Sequence, residues 1–320
     1  MELGKAAAAM ETGPENSVRP FFARHAVLLF YVLVLALVLL LGVLVNAFLG
    51  VTGTGTAPST PADLSPAMYG VAVLAGPASY TLAAVLTTTL AFGAAGLRDL
   101  GARLIRWRVG VRWYAAALLT APVLMTTTLL ALSLTSNAFL PGIITPEDRA
   151  SLLVAGLVAG LLAGFFEEIA WTGFAAHEIG RRHGVLVTGL LVALPWFVLH
   201  LPLWVPADTG TVPRALSVAA IVPWFLAYRV LMVWVYTHTR SVLLAILMHV
   251  PITASGFILA SPAMVGVPDV VYNLILGAAL WILVAAATAA DRRTPAARRG
   301  PDRSGVPLEG GGPRRGTREP

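Results

Sequence analysis

Between Arg149 and Arg181 the chain carries no lysine or arginine, yet two adjacent carboxylates, Glu167 and Glu168, sit inside this apolar stretch, in GFFEEIAWTGF (residues 164–174). A run of that length predicts a helix that crosses hydrocarbon, which takes about 20 apolar residues. Ionisable groups within such a helix are costly and point to function by default. Two other apolar spans place a histidine at depth, His200 in LPWFVLHLPLW and His249 in SVLLAILMHVPITAS. Two glutamates and two histidines on three spans form a set able to carry hydrolytic chemistry within a bilayer.

The rest of the chain is of the same kind. It is 57% hydrophobic and 12% charged, against roughly a quarter charged in soluble proteins, and its apolar residues gather in blocks of span length. The expected fold class is therefore all-α, a polytopic membrane protein of about eight transmembrane helices with a core bundle formed by spans four to seven. The +6 net charge does not indicate nucleic acid as a partner, because the arginines lie in span-flanking loops and a tail, where they set topology. The absence of cysteine excludes disulfides, thiolate nucleophiles and cysteine-ligated zinc. Arginine outnumbers lysine 21 to 1, a bias typical of GC-rich bacterial genomes.

In chain order we expect a polar N-terminal segment over 1–25, disordered up to Arg19-Pro20. The first three spans follow over 26–149 (about 26–49, 67–93 and 113–135), then spans four to seven over 150–260 (about 150–178, 186–204, 215–237 and 241–260). A last span occupies 261–290, and a disordered basic tail 291–320. The segment Arg98–Arg112 reads as a cytoplasmic amphipathic helix on the membrane surface, with Leu104, Ile105 and Trp107 toward lipid, or as a solvated loop. Eight spans with both termini inside leave Arg149 and Arg214 outside and Arg229 within a span, and put the other basic residues in the cytoplasm. That is the arrangement the positive-inside rule favours. It implies a multi-pass protein of the inner (plasma) membrane with the bilayer as its first partner.

Neighbouring helix positions differ by about 100°, so Glu167 and Glu168 cannot point the same way. One is expected to face a reacting centre and the other a second partner. Each histidine can act as metal ligand, oxyanion donor or proton carrier, and two histidines with one carboxylate make a known catalytic zinc set. His177-Glu178 mimics the start of HExxH, but Arg181 stands where the second histidine would be; with His183 these residues are expected at the interface. Counting about 1.5 Å per residue from the cytoplasmic ends puts Glu168, Arg229 and His249 at about 12–17 Å depth. An arginine that deep needs a partner, and Glu168 is the carboxylate so placed; the alternative is an arginine snorkelling to the inner surface. His200 counts nearer the outer half, unless Pro195 breaks its helix.

EEIAWTGF resembles the first motif, EExxxR, of the CAAX protease and bacteriocin-processing family of intramembrane peptidases. The aromatic residue four before a histidine, Trp196 before His200, is similar to the second motif, and His249 to the third, over about residues 150–255. The family's arginine and asparagine positions hold Thr172 and Thr253. The resemblance implies an intramembrane endopeptidase acting on a membrane-associated peptide or protein. In it Glu167 would activate water beside Glu168, with His200 and His249 binding metal or holding the water and the oxyanion. A divalent metal, zinc in the family's usual description, would sit on Glu167, His200 and His249, with Arg229, Thr253 and Trp196 supporting; a metal-free glutamate mechanism is the other option. Two rivals stand beside this reading. One is a catalytically silent immunity or partner-binding member, and the other is a proton-coupled transporter using the same groups as a relay.

Overall fold

The structure, a computed structural model, describes residues 15–51, 66–144, 147–204 and 210–293. These residues form helices and connecting turns. The helices are α1 (Glu15–Arg24), α2 (Ala26–Val51), α3 (Pro66–Leu104) and α4 (Val111–Ser133), then α5 (Arg149–Ala170). A π-helical turn (Trp171–Ala176) and α6 (His177–Gly180) follow, then α7 (Val185–Trp204), α8 (Arg214–Thr239), α9 (Val242–Leu259) and α10 (Val267–Arg293). Among the described residues, seven helices are long and apolar enough to cross a membrane. The expected fifth span is α7, whose apolar stretch Val185–Leu201 is shorter than those seven. The chain is a multi-pass helical membrane protein, with large apolar side chains such as Val43, Leu119, Val198 and Ile282 exposed on its outer faces.

Three expectations need correction. The N-terminal segment is helical from Glu15, and α1 packs on α3; residues 1–14 and 294–320, where disorder was expected, lie outside the described residues. The arginine-rich segment is helical only as far as Leu104 and leaves the helix from Ile105. Its helical part continues α3 beyond a kink at Gly93 (φ 62°, ψ −156°), a conformation glycine adopts without a Cβ penalty. Beyond the kink Leu100 and Arg103 turn inward, while Ile105 and Trp107 stay exposed. Finally, α7 runs unbroken through Pro195.

His200 needs no helix break to reach the glutamates. Glu167 stands 13 residues before Gly180 and His200 15 residues after Val185, depths of about 20 and 22 Å at 1.5 Å per residue. Antiparallel neighbours joined by a short turn therefore bring the two side chains to one level.

Three glycines one turn apart set the closest helix contact. A Cβ on Gly156, Gly160 or Gly164 of α5 would stand 3.1, 2.5 or 3.1 Å from the carbonyl oxygens of Ala254, Val250 and Ile246 on α9. Small residues at this spacing let two membrane helices approach backbone to backbone. The stripe brings α5 against the helix that carries His249, one turn below Glu168. A second aromatic core gathers α2, α3, α7 and the π turn around fully buried Trp171, with the rings of Phe30 and Tyr80 at 5.7 and 5.2 Å.

Candidate active site

Glu168 is fully buried at the end of α5, and every bond it makes fixes it in place. Arg229 of α8 grips it with both terminal nitrogens, Nη1 to Oε2 at 2.8 Å and Nη2 to Oε1 at 2.9 Å. Bidentate geometry of this kind is the strongest form of charge-assisted hydrogen bond. Thr172 donates its hydroxyl to Oε2 at 2.5 Å. His249 Nδ1 lies 2.7 Å from Oε1; an ionised carboxylate only accepts, so Nδ1 carries the proton. Arg229 is itself fully buried, with its guanidinium 3.9 Å above the Trp196 ring, a cation–π contact that offsets part of its desolvation. The snorkelling alternative is thus set aside.

Glu167 points elsewhere, as the 100° step requires. Trp196 Nε1 donates to its Oε2 at 2.6 Å, and its Oε1 faces His200 Nε2 at 3.6 Å. His200 Nδ1 lies 2.8 Å from the Trp196 carbonyl oxygen. A carbonyl can only accept, so Nδ1 carries a proton, and Nε2 is the ring nitrogen that faces Glu167. Both histidines are mostly buried, with 11% of the His200 side chain and 4% of that of His249 exposed. Trp196 ties the two halves together: its indole binds Glu167, its face takes Arg229, and its ring centroid is 5.6 Å from that of His249. Thr253 lies half-buried one turn beyond His249 and has no part in the Glu168 network.

Glu167, Glu168, Trp196, His200, Arg229 and His249 thus come together from α5, α7, α8 and α9. The position of the motif arginine is filled by Thr172, which reaches the same carboxylate, while the positive charge arrives from α8. Among the described residues, no three histidine, aspartate or glutamate side chains stand together as a metal site would need.

Several positioning residues were not read from the sequence. Arg103 of α3, 7% exposed, donates to the Gly173 carbonyl at 2.6 Å and to the Tyr236 hydroxyl at 3.0 Å. It braces the π turn, whose wider winding leaves carbonyls for such donors. His177 Nδ1 meets the Tyr236 hydroxyl at 2.9 Å, so it belongs to this brace and not to a zincin motif. The signal for Arg103 was weak, one arginine among five in a basic segment. The glycine stripe was in plain view as GLVAGLLAG.

No curated protein matches the chain. Residues 149–255 match the family model described as type II CAAX prenyl endopeptidase, Rce1-like. That segment runs from the start of α5 into α9 and contains all six of the gathered side chains. Over residues 149–255 the chain is thus similar to the Rce1-like type II CAAX endopeptidase family, which agrees with the three motifs.

Proposed function

We propose that the protein is an intramembrane endopeptidase that hydrolyses a peptide bond of a membrane-associated substrate, with Glu167 as the base. The observation that carries this reading is the pairing of Glu167 Oε1 with His200 Nε2 across 3.6 Å. In the reactive state we propose, His200 is unprotonated at Nε2, and both atoms act as acceptors for one bound water. A water that gives one hydrogen to each is oriented with its lone pair outward, toward a scissile carbonyl. Glu167 takes a proton as the water oxygen bonds to the carbonyl carbon. The C–N bond then breaks, and Glu167 returns the proton to the departing amine, the alternation expected of one general acid–base group.

His249 serves the oxyanion. Its Nδ1 proton is held by Glu168, which Arg229 fixes in turn, so the ring is oriented; the proposed step uses its imidazolium form, whose second proton, at Nε2, is donated to the developing charge. Trp196 holds Glu167 in register. Glu168 is the partner-facing carboxylate and Glu167 the reacting one.

The family resemblance offers zinc on Glu167, His200 and His249. One feature favours it: a carboxylate behind His249 Nδ1 is the kind of outer partner that orients metal-binding histidines. Metal content is therefore measured alongside activity. The topology we propose puts the arginine-rich ends of α3 and α6 in the cytoplasm, with both termini.

The test is cleavage of membrane-inserted peptides by the reconstituted protein. His200→Ala and His249→Ala should each lose about as much activity as the double variant, because members of one catalytic unit are not additive. Cleavage that survives the double variant would refute the assignment. A transporter would instead move protons in liposomes without cutting peptide.

A further inference from the structure

A second feature lies outside the catalytic group. A cleft of about 200 Å³ opens between the kinked end of α3 and the π turn with α6. One part is apolar, walled by Phe92 and Phe174, and the other carries Asp99, Arg103, His177, Glu178 and Arg181. None of Glu167, His200 or His249 lines it, so it stands apart from the peptidase reading.

The charges at this cleft come in both signs and are not fused into one closed network. Asp99 pairs with Arg103 at 2.8 Å, and Glu178 with Arg181 at 3.1 Å. His177 Nε2 stands between the two carboxylates, 3.9 Å from Asp99 and 3.8 Å from Glu178, too far for hydrogen bonds. A carboxylate offers about four acceptor positions, so both acids can take further N–H donors. Arg181 has 61% of its side chain exposed, leaving guanidinium N–H groups for an anion. The site thus offers acceptors for a primary ammonium, a donor for a phosphate, and an apolar wall.

We propose that this cleft binds an amphiphile whose polar end joins a primary ammonium to a phosphate, the chemistry of an aminophospholipid headgroup. The ammonium is received by Asp99 and Glu178, the phosphate by Arg181, and the first methylenes by Phe92 and Phe174. The arginine-rich end of the helix bundle is where headgroups lie, and the apolar wall is what a free headgroup would not need. A soluble phosphoethanolamine shares the polar chemistry, so the test separates the two sources.

Full-length protein in detergent is titrated with short-chain phosphatidylethanolamine, phosphatidylcholine or phosphatidylglycerol, or with free phosphoethanolamine. Apparent affinity is read from the shift in melting temperature that a ligand of the folded state produces. Phosphatidylethanolamine should bind at least about tenfold more tightly than the other two lipids, since losing a hydrogen bond to a charged group costs about that factor. Glu178→Gln should remove that preference and Arg181→Ala should weaken all three lipids alike, each leaving the lipid-free melting temperature near wild type. Equal response to phosphatidylcholine, whose ammonium has no N–H, would overturn the proposal, as would an unchanged preference in Glu178→Gln or undiminished lipid binding in Arg181→Ala. Phosphoethanolamine binding as tightly as the lipid would overturn the lipid assignment. A lysine-bearing peptide that displaces the lipid at equal concentration would show a peptide site instead.

Discussion

Replacing Arg229 with methionine tests the pairing that holds the site. Methionine keeps an unbranched apolar stem beneath Trp196, and its thioether makes favourable contacts with aromatic rings. What it removes is both hydrogen bonds to Glu168, at 2.8 and 2.9 Å. Glu168 has 0% of its side chain exposed, so water cannot replace them, and Thr172 and His249 remain its partners. Breaking a buried ion pair from one side costs about 3–5 kcal/mol. Glu168→Gln alone strands the Arg229 cation, whose Nε already lacks a partner, and should cost a similar amount. The double variant Glu168→Gln/Arg229→Met leaves no buried charge and should be far more stable than the sum of the singles. The coupling should reach at least the upper part of the roughly 0.5–3 kcal/mol range seen for contacting residues. Thermal unfolding of the four proteins in one mild detergent, followed by tryptophan fluorescence, reads the cycle. Arg229→Lys adds a control: a point charge cannot reproduce the fork, so it should fall between wild type and Arg229→Met. Strictly additive losses would refute the account of Arg229 as the clamp on Glu168.

Other outcomes follow from the same contacts. Gly160→Ala places a methyl 2.5 Å from the Val250 carbonyl oxygen; it should force α5 and α9 apart, lower the melting temperature and reduce cleavage. Gly101→Ala, with nothing within 4 Å, should be neutral or stabilising by up to about 1 kcal/mol through helix propensity. Trp196→Phe deletes the indole donor to Glu167 while keeping a ring under Arg229, so the turnover rate should fall and stability should drop by about 1.5–3 kcal/mol, the worth of a hydrogen bond to a charged group, measured by kcat and melting temperature side by side. Tyr236→Phe removes the hydroxyl shared by Arg103 and His177 and should destabilise the fold by about 1 kcal/mol, the usual worth of a net hydrogen bond. In this cysteine-free chain, a single cysteine at Asn137 should react with an impermeant thiol reagent from outside, and one at Gly101 only after the membrane is opened; the reverse pattern would invert the topology.

The all-helical membrane class was legible because span-length apolar blocks leave few alternatives. The candidate site was legible because ionisable residues in those blocks are rare enough to stand out. Arg229 and Glu168 could be paired by depth alone, since a rise per residue is a ruler along parallel helices. What depth cannot say is which faces meet. His200 was counted as too far out, because each span was measured separately and not from the short turn between α6 and α7. The kink at Gly93 was hidden in an otherwise regular pattern, since a glycine in a membrane helix has many uses besides a positive φ. The π turn after Glu168 leaves no signature in composition: its residues, WTGFAA, read as ordinary helix until their packing on Trp171 and the donor from Arg103 are known.

The most direct measurement is the cleavage rate of Glu167→Gln beside wild type in the same reconstituted membranes, with the metal content of each preparation determined. The substitution exchanges one oxygen for an NH2 group of equal size, so the fold and the contact with Trp196 are retained. The account predicts a loss of about 10²–10⁴-fold, the usual worth of a general base. Activity that survives metal removal in the wild type would show that Glu167 acts without a metal, and activity lost on removal and restored by zinc would show a metal on Glu167, His200 and His249. Cleavage by Glu167→Gln at the wild-type rate would contradict Glu167 as the base.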